Sequence, residues 1–166
     1  QECNTGAKFA VMDMLEIDRL DGSFDFVFSL GNVIAHLAPA DFDRFLKNLI
    51  IKLNDGAMWI FQVLNWDYLL QKKRYIFPVL RGMNDRIAFY REYPEINRDR
   101  LRFKTSLYDG DELVFQDSVW LYPMTSDEYV QLHAKQKMQL REHCCDFTGA
   151  EYEVRDSANI FVFQKK

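Results

Sequence analysis

The stretch of residues 24–37, FDFVFSLGNVIAHL, constrains the fold of this chain more than any other segment. Five of its first seven residues are apolar, and the short apolar run stops at Gly31-Asn32. Such runs are typical of strands that are covered on both faces of a parallel sheet. In open α/β sheets, ligands bind just beyond the carboxyl ends of these strands. The sequence therefore predicts a buried strand that leads directly into a ligand-binding turn.

Composition narrows the class of protein. The chain has 166 residues, of which 48% are hydrophobic and 15% aromatic, so it can bury a sizeable core as one domain. A net charge of -4 argues against nonspecific attachment to nucleic acid or to an anionic membrane. The sequence shows no signal peptide and no apolar run near the roughly 18 residues that a membrane span needs. We therefore expect a cytoplasmic protein that acts on a small molecule.

The three cysteines form no disulfide or metal-site pattern. Cys3 stands alone, Cys144 and Cys145 are adjacent, and none has the CxxC spacing of a redox or zinc site. We expect reduced thiols, as is usual for cytosolic proteins.

The hydrophobic period of residues 8–67 indicates strand, strand, helix and strand in that order. The predicted strands cover residues 9–12, 24–30 and 57–63, and the predicted helix covers residues 42–53. Asn54-Asp55-Gly56 has the composition of a stop for that helix. Because strands that alternate with helices form parallel sheets, the fold class is predicted as α/β.

Residues 85–122 have a period of two and predict an antiparallel insert. Apolar and polar residues alternate on both sides of Tyr108-Asp109-Gly110-Asp111, which indicates a hairpin around a glycine turn. With residues 87–93, this hairpin makes a three-stranded sheet that we expect to serve as a lid or a dimer surface. After the insert, Thr125 and Glu128 form a capping box that begins a helix. Two closing strands are predicted at residues 139–145 and 159–163.

Polar residues follow each of the three predicted strands of the first region. Asp13-Met14 ends the first strand, Gly31-Asn32 with His36 follows the second, and Asn65-Trp66-Asp67-Tyr68 follows the third. A carboxylate accepts from an amino group, methionine packs on a flat ring, and glycine lets a ligand approach the backbone. Each cluster alone also fits a solvent-facing strand end or a packed turn. Their coincidence at one edge of the sheet favours a ligand site.

The sequence lacks the motifs of several common enzyme classes. It has no glycine-rich phosphate loop, GxSxG, HExxH or CxxC, so nothing specifies an NTPase, a serine hydrolase or a metalloenzyme. His133 and His143 are predicted to be structural. Residues 72–104 contain ten Lys or Arg against four Asp or Glu. These charges fit either an anionic ligand or partner, or the solvated faces of the insert.

The motifs resemble the class I S-adenosylmethionine-dependent methyltransferases, most closely the glycine N-methyltransferase-like branch. LGNVIAHL and the later KNLIIKLNDGAMWIFQVLNWDYLL are similar to that branch's LGNSFAHL, a helix, and a strand that runs into Asn-Tyr-Asp-Tyr. The resemblance covers nearly the whole chain. It implies the carboxyl-terminal part of a Rossmann-like methyltransferase sheet, S-adenosylmethionine as the cofactor, a small-molecule methyl acceptor and no metal.

By position, the resemblance also implies site residues. The cofactor would be bound by Asp13 and Met14 at its adenine, and lined by Leu30, Gly31, Asn32 and His36; the acceptor pocket would be bordered by Asn65, Trp66 and Asp67. Catalysis then consists mostly of aligning an unprotonated nucleophile with the methyl group and excluding water. No catalytic residue is assigned.

Two departures from the family pattern matter. Leu64 stands where the glycine-specific enzymes carry an arginine for the amino-acid carboxylate, which argues against glycine as the acceptor. The family's GxGxG turn and its ribose-binding acid have no counterpart before Lys8. The chain is therefore expected to be inactive alone.

The missing strands leave an open edge. In the family's strand order they lie next to the strand at residues 24–30, and a long apolar edge is an aggregation hazard. We expect an upstream half or another chain to cover this edge, and a homo-oligomer through the edge or the insert is one such arrangement. The alternative to an enzyme is a non-catalytic methyltransferase-like interaction module. A nicotinamide oxidoreductase would give LGNVIAHL and NWDY no role.

Overall fold

Two β-sheets and three α-helices make up the described part of the chain, residues 6–166, in a computed structural model. In chain order the elements are a 3₁₀ helix at Met14–Arg19, β1 (Phe24–Ser29), a 3₁₀ helix at Val33–His36, α1 (Pro39–Lys52), β2 (Leu53–Leu64), α2 (Trp66–Leu69), β3 (Tyr75–Ile76), β4 (Leu80–Gly82), β5 (Ile87–Tyr93), β6 (Leu101–Asp109), β7 (Glu112–Leu121), α3 (Ser126–Lys135), β8 (Met138–Cys144) and β9 (Ala158–Lys165).

The first sheet has the strand order β1-β2-β9-β8. β1 is parallel to β2, while β9 is antiparallel to both β2 and β8. α1 connects the parallel pair, because parallel neighbours need a crossover and cannot be joined by a tight turn. The ends of β1 and β2 and the beginning of β9 therefore lie at one edge of the sheet. The predicted α/β class is confirmed.

The core lies between the first sheet and helices α1 and α3. Apolar residues of α1 recur at helical spacing and are buried, namely Phe42, Phe45, Leu46 and Leu49. They pack on an aromatic layer centred on Phe61, whose ring centroid lies 5.1 Å from that of Phe161 and 6.5 Å from that of Phe42. Burial of each such side chain stabilises the fold by roughly 1.5–3 kcal/mol.

α3 begins with the predicted capping box. The Thr125 side chain accepts from the Glu128 backbone N–H, and the Glu128 carboxylate accepts from the Thr125 backbone N–H at 2.8 Å. Two of the backbone donors that a helix start leaves unpaired are thereby satisfied. Tyr129 and His133 follow at a spacing of four residues and are buried against the aromatic layer.

The second sheet is the insert, and it has five antiparallel strands instead of three. The three predicted strands are β5, β6 and β7. β3 and β4 also pair with β5, but they have two and three residues, too few for an alternating pattern to show. On one face of the insert, the Tyr93 ring packs 5.8 Å from Trp66 and 5.1 Å from Phe77. This aromatic cluster attaches the insert to the end of β2.

Residues 9–12 do not form the predicted strand. They have no regular structure, and the side chains of Phe9 and Val11 are almost fully exposed. β1 is the outermost strand of its sheet within residues 6–166, so the described chain offers this segment no partner strand. An apolar run cannot hold an extended conformation in water without a paired strand or a covered face.

Two further expectations are wrong. Asn54-Asp55-Gly56 does not stop α1, which ends at Lys52; the tripeptide lies inside β2, where Gly56 has φ 81° and the pairing with β1 shifts register. β1 is covered on one face only, because Phe26 and Phe28 remain 53% and 60% exposed. The sheet therefore presents an apolar strand that pairs with no other strand of the described chain on its outer edge and that is about half exposed on one face.

Candidate functional site

The turn after β1 is fixed to the end of β2. Gly31 and Asn32 both have left-handed backbone conformations, with φ 79° and 64°. The Gly31 N–H donates to the Gln62 side-chain oxygen at 2.7 Å, and the Leu64 N–H donates to Asn32 Oδ1 at 3.0 Å. The Gly-Asn pair thus holds the polar turn against the carboxyl end of the neighbouring strand.

The surface of this turn is open. Leu30 and Val33 are 43% and 40% exposed, and His36 is exposed at the end of its short 3₁₀ helix. A Cβ added at Gly31 would meet no atom within 4 Å. Of the predicted cofactor-lining residues, Leu30, Gly31 and His36 are therefore accessible at the surface.

Asp13 and Met14 lie at the start of a separate element, the 3₁₀ helix Met14–Arg19. Asp13 caps the 3₁₀ helix Met14–Arg19 by accepting from the Leu15 N–H at 2.8 Å. Asn48 of α1 donates to the Leu15 carbonyl, also at 2.8 Å, which fixes this helix to α1. No hydrogen bond within the described residues joins Asp13 to the other two predicted clusters. Hydrogen bonds therefore tie the Gly31-Asn32 turn to the strand end that carries the third cluster, whereas Asp13 is held by its own helix and by α1.

The third cluster follows β2 and is largely internal. Asn65 is completely buried; its side chain accepts from the Tyr68 N–H at 3.3 Å and donates to the Val154 carbonyl at 3.0 Å. Its carbonyl oxygen also accepts from the Tyr152 hydroxyl at 3.4 Å. Asn65 therefore anchors the loop between β8 and β9 over the end of β2.

Asp67 extends this polar network to α3. Its carboxylate accepts from the Ser126 backbone N–H at 3.1 Å and from the Ser126 hydroxyl. Asn159 of β9 donates to the same hydroxyl at 3.2 Å, and its oxygen lies 3.2 Å from His143 Nε2. A carboxylate at the amino terminus of a helix is stabilised by the exposed N–H groups there.

His143 and Tyr152 lie at the outer side of the network. Their rings stack at 4.1 Å, and the other face of His143 stacks on Phe161 at 4.3 Å. Burial lowers the pKa of His143, although the hydrogen bond to Asn159 opposes this shift. Burial, followed by the negative charge of Asp67, raises the pKa of Tyr152. Both groups are therefore neutral near pH 7.

Sequence reasoning missed three members of this network, Ser126, Asn159 and Tyr152, and it predicted only a structural role for His143. Their partners are distant along the chain, so the spacing of residues in the sequence does not predict these contacts. The one available signal was the position of Asn159 at the start of a predicted strand, where it faces the same edge as Asn65.

Trp66 does not have the exposure that a pocket-bordering residue needs in this structure. Its indole is completely buried against Tyr93, and its Nε1–H has no hydrogen-bond partner in the described residues. Its assignment to an acceptor pocket stays a prediction. The visible role of Trp66 is to join the insert to the first sheet.

His133 has the structural environment that the sequence predicts. It is completely buried; Trp59 Nε1–H donates to its Nε2 at 3.2 Å, and its Nδ1 lies 2.6 Å from the Tyr129 carbonyl. Its ring stacks on Phe163 at 3.7 Å. Burial lowers the pKa of His133 to about 4, so the imidazole is neutral at physiological pH.

Most of the cationic side chains in residues 72–104 form ion pairs or stack on aromatic rings nearby. Ion pairs join Arg74 and Lys104 to Glu92, Arg86 to Asp109, and Arg98 to Glu128. The guanidinium groups of Arg100 and Arg102 lie 4.4 and 5.0 Å from the centre of the Trp120 ring. These contacts favour the interpretation of a solvated insert surface over an anion site.

Other features of the described chain limit the chemistry. Cys144 and Cys145 are free thiols, and burial is the main cause that raises the pKa of each; Cys3 lies outside the described residues. No group of three His, Cys, Asp or Glu side chains within residues 6–166 is placed to hold a metal ion. No helix in that range is long and apolar enough to cross a membrane.

Comparisons with known proteins identify the fold. No family model and no curated protein matches the sequence. A S-adenosylmethionine-dependent methyltransferase from Clostridium acetobutylicum matches with a TM-score of 0.78 and 14% identity, over 94% of this chain and 63% of the other. The CcbJ methyltransferase from Streptomyces caelestis matches with a TM-score of 0.75 and 14% identity, over 90% of this chain and 65% of the other. This chain has a methyltransferase fold.

A third match has a more specific name. The sugar N-methyltransferase KedS8 from a Streptoalloteichus species matches the methyltransferase fold of this chain with a TM-score of 0.63 and 19% identity, over 93% of this chain and 61% of the other. The chain therefore spans less than two thirds of the length of these methyltransferases.

Proposed function

We propose that this chain is the carboxyl-terminal part of an S-adenosylmethionine-dependent methyltransferase that acts on a small molecule. The observation that carries the proposal is the Gly31-Asn32 turn. It is held by hydrogen bonds to Gln62 and Leu64 at the carboxyl edge of a methyltransferase-like sheet, and a Cβ at Gly31 would meet no atom within 4 Å. Ligands of such sheets bind at this edge.

The residues present fit a cofactor with an amino-acid group and a flat base. Leu30 and Val33 offer exposed apolar surface, and the space in front of Gly31 lets a ligand reach the backbone. Asp13 and Met14 would contact the adenine, and Asn32 and His36 would line the same wall. When bound, S-adenosylmethionine supplies a methyl group on a sulfonium. The chain's own part is to orient the cofactor and exclude water.

The acceptor side would be bordered by Asp67, which is partly exposed; Asn65 and Trp66 are completely buried and would only support this border. Leu64 offers no positive charge beside them, so we propose an acceptor without a free carboxylate in that place, in contrast to glycine. KedS8 is a sugar N-methyltransferase, which supports an amine-bearing acceptor. Membership of the glycine N-methyltransferase-like branch rests on the sequence motifs and is part of the same proposal. A cytoplasmic location is part of the same proposal.

The proposal includes a missing partner for β1. More than a third of each of the first two matching methyltransferases lies outside the part that this chain covers, and no strand among the described residues pairs with the outer edge of β1. A segment with a glycine-rich turn would pair with β1 and form the opposite wall of the cofactor site. Without it, the chain is expected to be inactive.

Calorimetric titration with S-adenosylmethionine tests the proposal. The chain alone should bind weakly or not at all, whereas the chain extended by the residues encoded upstream of Gln1 should bind. In the extended protein, Asp13→Ala should weaken binding roughly tenfold through a lost hydrogen bond to the base. Asp55→Ala, at the opposite edge of the sheet, is the matched control and should leave binding unchanged. If the extended protein does not bind S-adenosylmethionine, the proposal that it is a methyltransferase is refuted.

The alternative is a non-catalytic interaction module. The exposed rings of Phe26 and Phe28, 5.8 Å apart on the uncovered face of β1, favour a protein partner at this edge. Sedimentation of the crosslinked chain distinguishes this alternative. If the Phe28→Asp variant still forms a partner-bound species, that result would count against the interaction module. Pairing through β1 must bury the side chain of residue 28, and a buried carboxylate would oppose it.

A further inference from the structure

The insert carries an open groove on the face that turns away from the core. The groove has a volume of about 610 Å³ and is lined by side chains of β5, β6 and β7, among them Tyr90, Glu92, Lys104, Ser106, Tyr108 and Gln116. Small-molecule sites in proteins usually have volumes of about 300–1,000 Å³. The proposed methyltransferase site does not use any of these residues.

The strand register explains why a groove forms here. Tyr90, Ser106 and Gln116 make one cross-strand row, because Tyr90 pairs with Ser106 and Ser106 pairs with Gln116. Lys104 and Tyr108 flank Ser106 along β6 on the same face, since side chains two residues apart share a face. A small serine is thus surrounded by four larger side chains. Ser106 is only 7% exposed and forms the floor.

The walls combine aromatic surface with hydrogen-bonding groups. The Tyr90 and Tyr108 rings pack edge to face at 5.5 Å, and Tyr90 remains 39% exposed. Gln116 Nε2–H donates to the Ser106 hydroxyl oxygen at 3.0 Å, which leaves the Gln116 carbonyl oxygen and the Ser106 hydroxyl hydrogen for a ligand. Aromatic rings accept the apolar face of a ligand while these polar groups fix its orientation.

The charges at the groove cancel. Lys104 Nζ lies 3.6 Å from the Glu92 carboxylate, and the two remaining charged lining residues, Arg91 and Asp111, are of opposite sign. The groove therefore offers no net charge to attract an ion. Its paired charges still provide donors and acceptors for hydroxyl groups.

We propose that this groove binds a neutral, polyhydroxylated ligand of the glycosyl class. Such a ligand has an apolar C–H face for the tyrosine rings and several hydroxyl groups for Ser106, Gln116 and the Glu92–Lys104 pair. The inference does not rest on methyl transfer, because the groove lies on the opposite face of the insert from the rings that pack against the first sheet.

Nuclear magnetic resonance tests this assignment with the full chain. Neutral monosaccharides and disaccharides, such as methyl glucoside, maltose and cellobiose, are titrated into ¹⁵N-labelled protein. At least one is expected to shift the amide signals of β5, β6 and β7 around the groove with saturable, millimolar affinity. Gln116→Ala and Tyr90→Ala should each weaken that binding roughly tenfold. Arg102→Gln, on the same face of β6 but outside the groove, should not change it.

Ser106→Leu adds a steric test, because it fills the floor of the groove and should abolish binding. Gln116 lies on an exposed edge strand, so Gln116→Ala keeps the test valid even if the floor variant fails to fold. The proposal is overturned if no neutral saccharide shifts these signals, or if glucose 1-phosphate or inorganic phosphate shifts them when neutral sugars do not. Burial of the groove between two copies of the chain in solution would overturn it as well.

Discussion

His133 shows how a single buried side chain links the core to pH. Its imidazole accepts from Trp59, contacts the Tyr129 carbonyl and stacks on Phe163, all in a setting without access to water. The unfolded chain takes up a proton at the ordinary pKa of 6.5, whereas the folded chain takes it up only near 4. The stabilisation is therefore complete above the unfolded pKa and is lost as the pH falls toward the folded one.

We expect the free energy of unfolding to fall by roughly 2 kcal/mol between about pH 7.5 and pH 5 because of this group. Urea denaturation at a series of pH values measures the slope. His133→Gln keeps a side-chain acceptor for Trp59 but does not titrate, so it should flatten the slope even though it destabilises the protein. His36→Gln, at an exposed histidine, should leave the slope intact. Equal slopes in both variants would contradict a buried neutral His133.

At the scale of elements, the start of α3 offers a direct test of local energetics. Thr125 and Glu128 cap each other, so Thr125→Ala should lower the free energy of unfolding by about 1 kcal/mol. Glu128→Ala should cost a similar amount, and the double variant should cost less than the sum because the two residues share their hydrogen bonds. Asp127→Ala, in the same turn but exposed, should change stability by less than about 0.5 kcal/mol. Strict additivity in chemical denaturation would show that the box is not coupled.

The elements that were predicted correctly are those whose signal is local. α1 repeats its apolar residues every three or four positions, β6 and β7 alternate around a glycine turn, and the cap of α3 occupies four consecutive residues. Residues 9–12 have the composition of a strand but not the environment of one. The short strands β3 and β4 owe their conformation to β5, so their own sequence carries no pattern.

The candidate site was less predictable because its contacts are distant along the chain. Gly31-Asn32 could be recognised as a turn, but its attachment to Gln62 and Leu64 depends on the pairing of two strands. The network from Asp67 through Ser126 and Asn159 to His143 joins four elements. Only the folded topology brings these side chains together.

At the scale of the whole molecule, the free side of β1 should govern how the isolated chain behaves in solution. Exposed strand edges and apolar faces promote association. We expect the chain to self-associate as its concentration rises, and the double substitution Phe26→Ser with Phe28→Ser to reduce this in sedimentation velocity. The melting temperature should change little, because both rings are already half exposed. Val27→Ser, on the covered face of β1, is the control that should lower the melting temperature. A wild-type chain that stays monomeric at high concentration would refute this expectation.

The position of β9 has a consequence for the order of assembly. β9 separates β2 from β8, yet β2 ends at Leu64 and β9 begins only at Ala158. During synthesis, the side of β2 that pairs with β9 therefore remains unpaired while the ribosome makes the entire insert. The insert has short-range hairpin pairing and can form early, whereas the first sheet closes late through a long loop. Translation speed between these two strands should thus influence the yield of folded protein more than it does elsewhere in the chain.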